Sequence, residues 1–109
     1  MTANQLTKKI LNYLFEEHGC FVWREDTVGI PTTGGGLRPA SMKGKPDIMG
    51  MTSEGQFIGV EVKIGKDRLS LEQKGFIKNA AHCGVKIFIA KDFDEFKHTF
   101  DKELKHPPR

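Results

Sequence analysis

The stretch from Phe57 to Ile64 is apolar except at a few positions, and two of these are charged, Glu61 and Lys63. Residues i and i+2 of a strand point to one face, at a rise of about 3.3 Å per residue. Glu61 and Lys63 therefore project side by side, with Cα atoms about 6–7 Å apart. Ile58, Val60, Val62 and Ile64 make the opposite face, which reads as core. A charge on a buried strand is costly to desolvate. Two arrangements offset that cost. One is mutual pairing of the two side chains. The other is a metal ion held by Glu61 and a second carboxylate, Asp47, with Lys63 alongside.

The length of 109 residues suits one domain. The patterned part runs over residues 1–105, and 106–109, with two prolines, reads as a frayed tail. A formal charge of +3, from 17 Lys+Arg against 14 Asp+Glu, permits a nucleic-acid partner without demanding one. Two cysteines are too few for a disulfide framework, the N-terminus does not read as a signal peptide, and no apolar run is long enough to cross a bilayer. The expected compartment is therefore the reduced cytoplasm, with no membrane partner. His18 with Cys20, and His82 with Cys83, lack the paired spacing of zinc ligands.

The first helix is expected over Thr2 to Glu17, with Leu6, Ile10, Tyr13 and Leu14 as its apolar stripe. Thr2 or Asn4 can cap its start and Gly19 can end it. Cys20 to Asp26 reads as a strand around Phe21, Val22 and Trp23. Arg24 at its end is either an exposed charge or a phosphate contact. Thr27 to Lys45 is the longest irregular stretch, rich in glycine, with Arg38, Lys43 and Lys45 as its cations. It is expected to be a mobile flap that closes on a polyanion. Its glycine triplet, Gly34 to Gly36, is not a P-loop, because no Gly-Lys-Ser/Thr follows at the required spacing.

Pro46 to Met51 and Phe57 to Ile64 read as a hairpin turning at Glu54-Gly55. That hairpin brings Asp47 towards Glu61 and Lys63. Ser70 and Gln73 have capping-box spacing for a second helix, with Phe76, Ile77, Ala80 and Ala81 as its buried face and Gly84 as its end. Val85 to Ala90 reads as a strand. Asp92 can cap a last helix whose stripe is Phe93, Phe96, Phe100 and Leu104. The order is αβββαβα, an α/β domain with a mixed β-sheet flanked by helices.

Two carboxylates on neighbouring strands make a hard oxygen site. Magnesium is commonly held by one or two carboxylates, water and substrate phosphate. Such an ion polarises a phosphoryl oxygen and activates bound water, and Lys63 beside it can orient that water or stabilise developing charge. These parts suit phosphodiester hydrolysis.

Gly44-Lys45-Pro46-Asp47, Val60-Glu61-Val62-Lys63 and Leu69-Ser70-Leu71-Glu72-Gln73 resemble the PD-(D/E)xK nuclease superfamily, and within it the VRR-Nuc branch, in particular its small stand-alone phage and bacterial members. The Trp23-Arg24 strand followed by a glycine-rich loop also fits. The resemblance implies a restriction-endonuclease-like core and a structure-specific DNA endonuclease. Asp47, Glu61 and the Val62 carbonyl would hold Mg2+ or Mn2+. Lys63 would position the attacking water, and Gln73 would support the site from its helix. Arg24, Arg38, Lys43, Lys45, Lys66 and Arg68 are the candidate DNA contacts. The implied partner is branched DNA, preferably a four-way junction resolved by a homodimer, with no small-molecule cofactor. A phage-encoded protein acting in a host cell would fit this pattern.

One departure stands out. Family members commonly carry a glutamate in the first helix, facing the metal, whereas here no acid precedes Glu16. Asn4 or Gln5 would take that place in a neutral role; Glu16 and Glu17 lie about three turns further on. The alternatives are a flap or nicking endonuclease, a DNA-binding module that does not cut, or an interaction protein in which Glu61 and Lys63 form only an ion pair.

Overall fold

A computed structural model describes residues 1–25, 30–31, 33–35, 37–38 and 43–104, the side chains of residues 30, 31, 37, 38 and 104 excepted. The expected tail, 106–109, lies outside these residues, as does much of the expected flap. The elements run α1 (Ala3–His18), β1 (Phe21–Arg24), β2 (Ile30–Pro31), β3 (Leu37–Arg38), β4 (Ile48–Met51), β5 (Phe57–Val62), α2 (Leu71–His82), β6 (Lys86–Ala90) and α3 (Phe93–Leu104). The αβββαβα order holds, with one addition. Inside the stretch read as irregular, β2 and β3 pair antiparallel in a ribbon of their own. A two-residue strand leaves no hydrophobic period to detect, which is why the sequence pattern misses it.

The main sheet has the order β1-β4-β5-β6. The β1–β4 and β4–β5 pairs are antiparallel, and β5–β6 is parallel, joined through α2. The sheet is therefore mixed, as a hairpin followed by a βαβ crossover requires.

Local signals set the ends of the elements. Thr2 and Gln5 form a reciprocal capping box at α1, and Gly19, at φ 62°, closes the helix in the left-handed conformation. Ser70 and Gln73 form the same box at α2. The Asp92 carboxylate accepts the Glu95 N–H, 2.8 Å, at the start of α3. The hairpin turn is held by Thr52, whose hydroxyl accepts the N–H groups of Glu54 and Gln56.

One sheet face is the core. Ile48, Ile58, Val60, Val62, Phe88 and Ala90 pack against Leu6, Ile10, Tyr13 and Leu14 of α1 and Phe96 and Phe100 of α3. A second lock joins those two helices. Asp101 accepts hydrogen bonds from the Tyr13 hydroxyl and from His18 Nε2, the latter at 2.8 Å. Burial, and then the Asp101 contact, pushes the Tyr13 phenol up. Burial also raises the Asp101 carboxyl, but its bonds to Tyr13 and His18 outweigh that and hold it below the usual carboxylate range.

The other face is more open. The helix α2 packs there on β6 and buries no residue fully, so the expected buried face is only half-buried at Phe76, Ile77 and Ala80, while Ala81 is exposed. Phe21 and Trp23 of the edge strand are exposed and meet edge-on at 5.5 Å. No helix among the described residues is long and apolar enough to cross a membrane.

Candidate active site

The site sits where β4 begins and β5 ends. In β5 the backbone amides alternate sides. Lys63 N–H reaches the Ala90 carbonyl of β6, 2.9 Å, so Val62 N–H faces β4. There β4 has run out: its ladder stops at Ile48↔Val60, and Pro46, the residue across from Val62, has no N–H to give the Val62 carbonyl. The Val62 N–H finds its acceptor in the Asp47 carboxylate, at 2.8 Å to Oδ2. The Val62 carbonyl shares the side of its own N–H and so also faces Asp47.

Continuing the register one step from Ile48↔Val60 pairs Asp47 with Glu61. Both side chains project from the face opposite the α1–α3 core. Glu61 is only 2% exposed. Its carboxyl is pushed up to about 8, first by burial and then by its hydrogen bond and charge repulsion with Asp47; Lys63 opposes this more weakly. Near neutral pH the Glu61 carboxyl therefore holds a proton. Two carboxylates and a backbone carbonyl make a donor set for a hard cation, because a divalent ion removes the repulsion that the proton now offsets. Among the described residues no cluster of three or more His, Cys, Asp or Glu side chains exists, so the protein would offer two carboxylates and leave the other positions to water and substrate.

The register also extends the other way. From Arg24↔Ile48, one step further pairs Glu25 with Asp47, and Glu25 N–H does donate to the Asp47 carbonyl at 2.8 Å. Glu25, Asp47 and Glu61 thus stand in one lateral row on three strands. The Glu25 carboxylate is already engaged, by Trp23 Nε1 at 2.6 Å and by Lys45 Nζ at 3.2 Å. Sequence reading misses Glu25. Its alternation with Trp23 in β1 is visible, but its pairing with Lys45 crosses the glycine-rich stretch and leaves no local signal.

Gln73 has one hand tied. Its Oε1 accepts the Ser70 N–H at 2.8 Å, so the capping role is real. Yet its helix end is near the site. Gly44, at φ 83°, lies so close to the first turn of α2 that a Cβ there would come within 2.2 Å of the Glu72 carbonyl oxygen. Gly44 is needed both for its backbone conformation and for this close approach.

The candidate DNA contacts separate. Lys43, Lys66 and Arg68 are exposed. Lys45 is half-buried and paired with Glu25 rather than free. Arg24 alternates onto the α1 side of the sheet and donates from Nη1 to Asn4 Oδ1, away from the acids. The side chain of Arg38 lies outside the described residues. The two neutral candidates for the helix-one position are also engaged, Asn4 by Arg24 and Gln5 by the Thr2 cap. Glu16 and Glu17 are exposed near the far end of α1.

Residues 39–92 match the VRR-NUC domain. The chain belongs to the VRR-NUC family. The match takes in Asp47, Glu61, Lys63 and Gln73 and leaves α1, β1 and Glu25 outside it. A VRR-NUC domain gives the protein a nuclease-type, DNA-processing function. Comparison with curated proteins and with solved structures gives no significant match.

Proposed function

We propose that this VRR-NUC protein is a Mg2+- or Mn2+-dependent endodeoxyribonuclease that acts on branched DNA, with the four-way junction as preferred substrate and a homodimer as the working form. The observation that carries the reading is the Asp47–Glu61 carboxylate pair at the open end of a hairpin, with Glu61 buried, Asp47 half-buried and Lys63 beside them. Asp47, Glu61 and the Val62 carbonyl would hold the ion, which when bound supplies charge neutralisation at the phosphate and a more acidic water.

The chain's own groups do the rest. Val62 N–H fixes one Asp47 oxygen and leaves the other towards Glu61. Lys63 Nζ orients the attacking water or meets charge developing on the phosphate. The first turn of α2, docked on Gly44, keeps the Gln73 amide group near by. Lys43, Lys66 and Arg68 supply exposed positive charge for the flanking phosphates.

Two symmetric cuts across a junction call for two sites related by a two-fold axis. The exposed Phe21–Trp23 pair on the β1 edge supports such an assembly, since exposed aromatic edges are commonly covered.

The deciding assay incubates an end-labelled four-way junction and a matching linear duplex with magnesium, manganese or EDTA, beside Asp47→Ala. Paired nicks on the junction alone, lost in EDTA and in the variant, are the expected result. One-sided incisions on flaps would change the substrate. A second reading is a DNA-binding module that does not cut, favoured by the engagement of both Asn4 and Gln5 elsewhere. It requires salt-sensitive binding and no incision in any metal.

A further inference from the structure

Lys45 is the closest cation to Asp47 along the chain, two residues away, and its ammonium is largely sheltered from solvent. An ammonium so placed has two candidate anionic partners. One is Glu25, at 3.2 Å. The other is the Asp47–Glu61 pair, where it would take the place of a divalent cation. The structure holds it at Glu25. Three contacts keep Glu25 in that position: its backbone N–H on the Asp47 carbonyl, 2.8 Å, the Trp23 indole on Oε2, 2.6 Å, and Lys45 on Oε1. Side-chain exposures of 10% for Lys45 and 22% for Glu25 mean that water screens this pair poorly.

We propose that Glu25 is a positioning residue that keeps the Lys45 ammonium off the acid pair, so that Asp47 and Glu61 stay open to a metal ion. The proposal rests on the reading of that pair as a metal site. Glu25 acts through Lys45, not as a ligand. Removing its charge frees Lys45 to pair with Asp47 or Glu61 and to compete with the metal. Removing Lys45 as well removes the competitor, and affinity returns.

The test is Mn2+ binding by calorimetry to the whole protein without DNA, in wild type, Asp47→Ala, Glu25→Gln and the double variant Glu25→Gln/Lys45→Met. The amide oxygen introduced by Glu25→Gln would still accept the Trp23 indole N–H, so the substitution changes charge with little change in shape. Circular dichroism melting checks that each variant is folded. Should the double variant melt out, Glu25→Gln/Lys45→Gln serves the same arm with a polar end in the half-buried position.

Wild type is expected to bind and Asp47→Ala to fail. Glu25→Gln is expected to weaken binding by about 10- to 100-fold, the range for residues that support metal ligands from behind. The double variant is expected to recover most of that loss. Wild-type affinity in Glu25→Gln overturns the inference and leaves the metal site standing. Equal weakness in the single and double variants also overturns it, because Glu25 then acts otherwise than through Lys45. Absence of Mn2+ binding in wild type, or equal binding in Asp47→Ala, overturns the metal-site reading and the inference with it.

Discussion

Asp47 stands directly across from Glu61, one step past the last backbone pair of β4 and β5, and its carboxylate accepts the Val62 N–H where that ladder has ended. The same carboxylate thus has a structural and a chemical task, and substitutions at the two acids are expected to differ.

Glu61→Ala and Asp47→Ala should both reduce Mg2+-dependent cleavage by on the order of 100-fold or more, with DNA binding retained. Asp47→Ala should also destabilise the fold by about 1–3 kcal/mol, because it leaves the Val62 N–H without its acceptor. Asp47→Asn should recover the stability and not the cleavage. Urea unfolding beside a nicking assay separates the two tasks.

The raised Glu61 carboxyl predicts a pH signature for metal uptake. Glu61 must lose a proton to bind an ion, so apparent affinity should rise with pH up to about 8 and level off above it. Calorimetry in two buffers of different ionisation enthalpy should detect about one proton released per ion near neutral pH.

The metal-free fold should respond in the opposite sense. Folding raises the Glu61 carboxyl from 4.5 to about 8, so the folded chain holds a proton that the unfolded chain has lost. Stability is fully present below about pH 4.5 as far as this group is concerned, and falls as pH rises towards 8. Glu61→Gln should flatten that slope, as read from melting temperatures across the window in EDTA.

At the α1–α3 contact, Asp101 is held below its ordinary value, so its contribution is present above about pH 4 and is lost as pH falls through the lowered value. Tyr13→Phe should cost about 1–2 kcal/mol by removing one of its two hydrogen bonds. Denaturant melts at pH 7 and at pH 3 should show the penalty shrinking in acid.

Charge substitutions should sort by position. Lys66→Ala and Arg68→Ala should each weaken DNA binding and lower the salt slope by about one. Arg24→Ala should change stability and leave the slope unchanged, since its guanidinium is held by Asn4 on the far side of the sheet.

Much of this was legible because the decisive residues lie within one hairpin and one helix start. Alternation in Phe57 to Ile64, the turn at Glu54-Gly55 and the Ser70–Gln73 spacing are each set within a few residues. They bring Asp47 towards Glu61 and Lys63, and the strand register adds that Asp47 stands across from Glu61. What stays hidden in the sequence depends on distance along the chain. Arg24 reads as an exposed charge or a phosphate contact, and its bond to Asn4 emerges only when β1 pairs with β4. Lys45 reads as a free cation until Glu25 arrives from the other side of the glycine-rich stretch. The α2 face reads as buried by its period, but one edge strand is not enough to cover it.

The lock between Tyr13 and Asp101 joins residues 88 apart, while the acid pair rides on a single hairpin. Hairpins close in about 1–10 μs, whereas contacts of such long range wait on most of the chain. During synthesis the acids can therefore meet before α3 exists, on a sheet whose core face has only α1 to cover it. The order of assembly puts the chemistry first and its backing last, so a ribosome-bound fragment ending before α3 would present the acids on a scaffold too loose to fix their geometry.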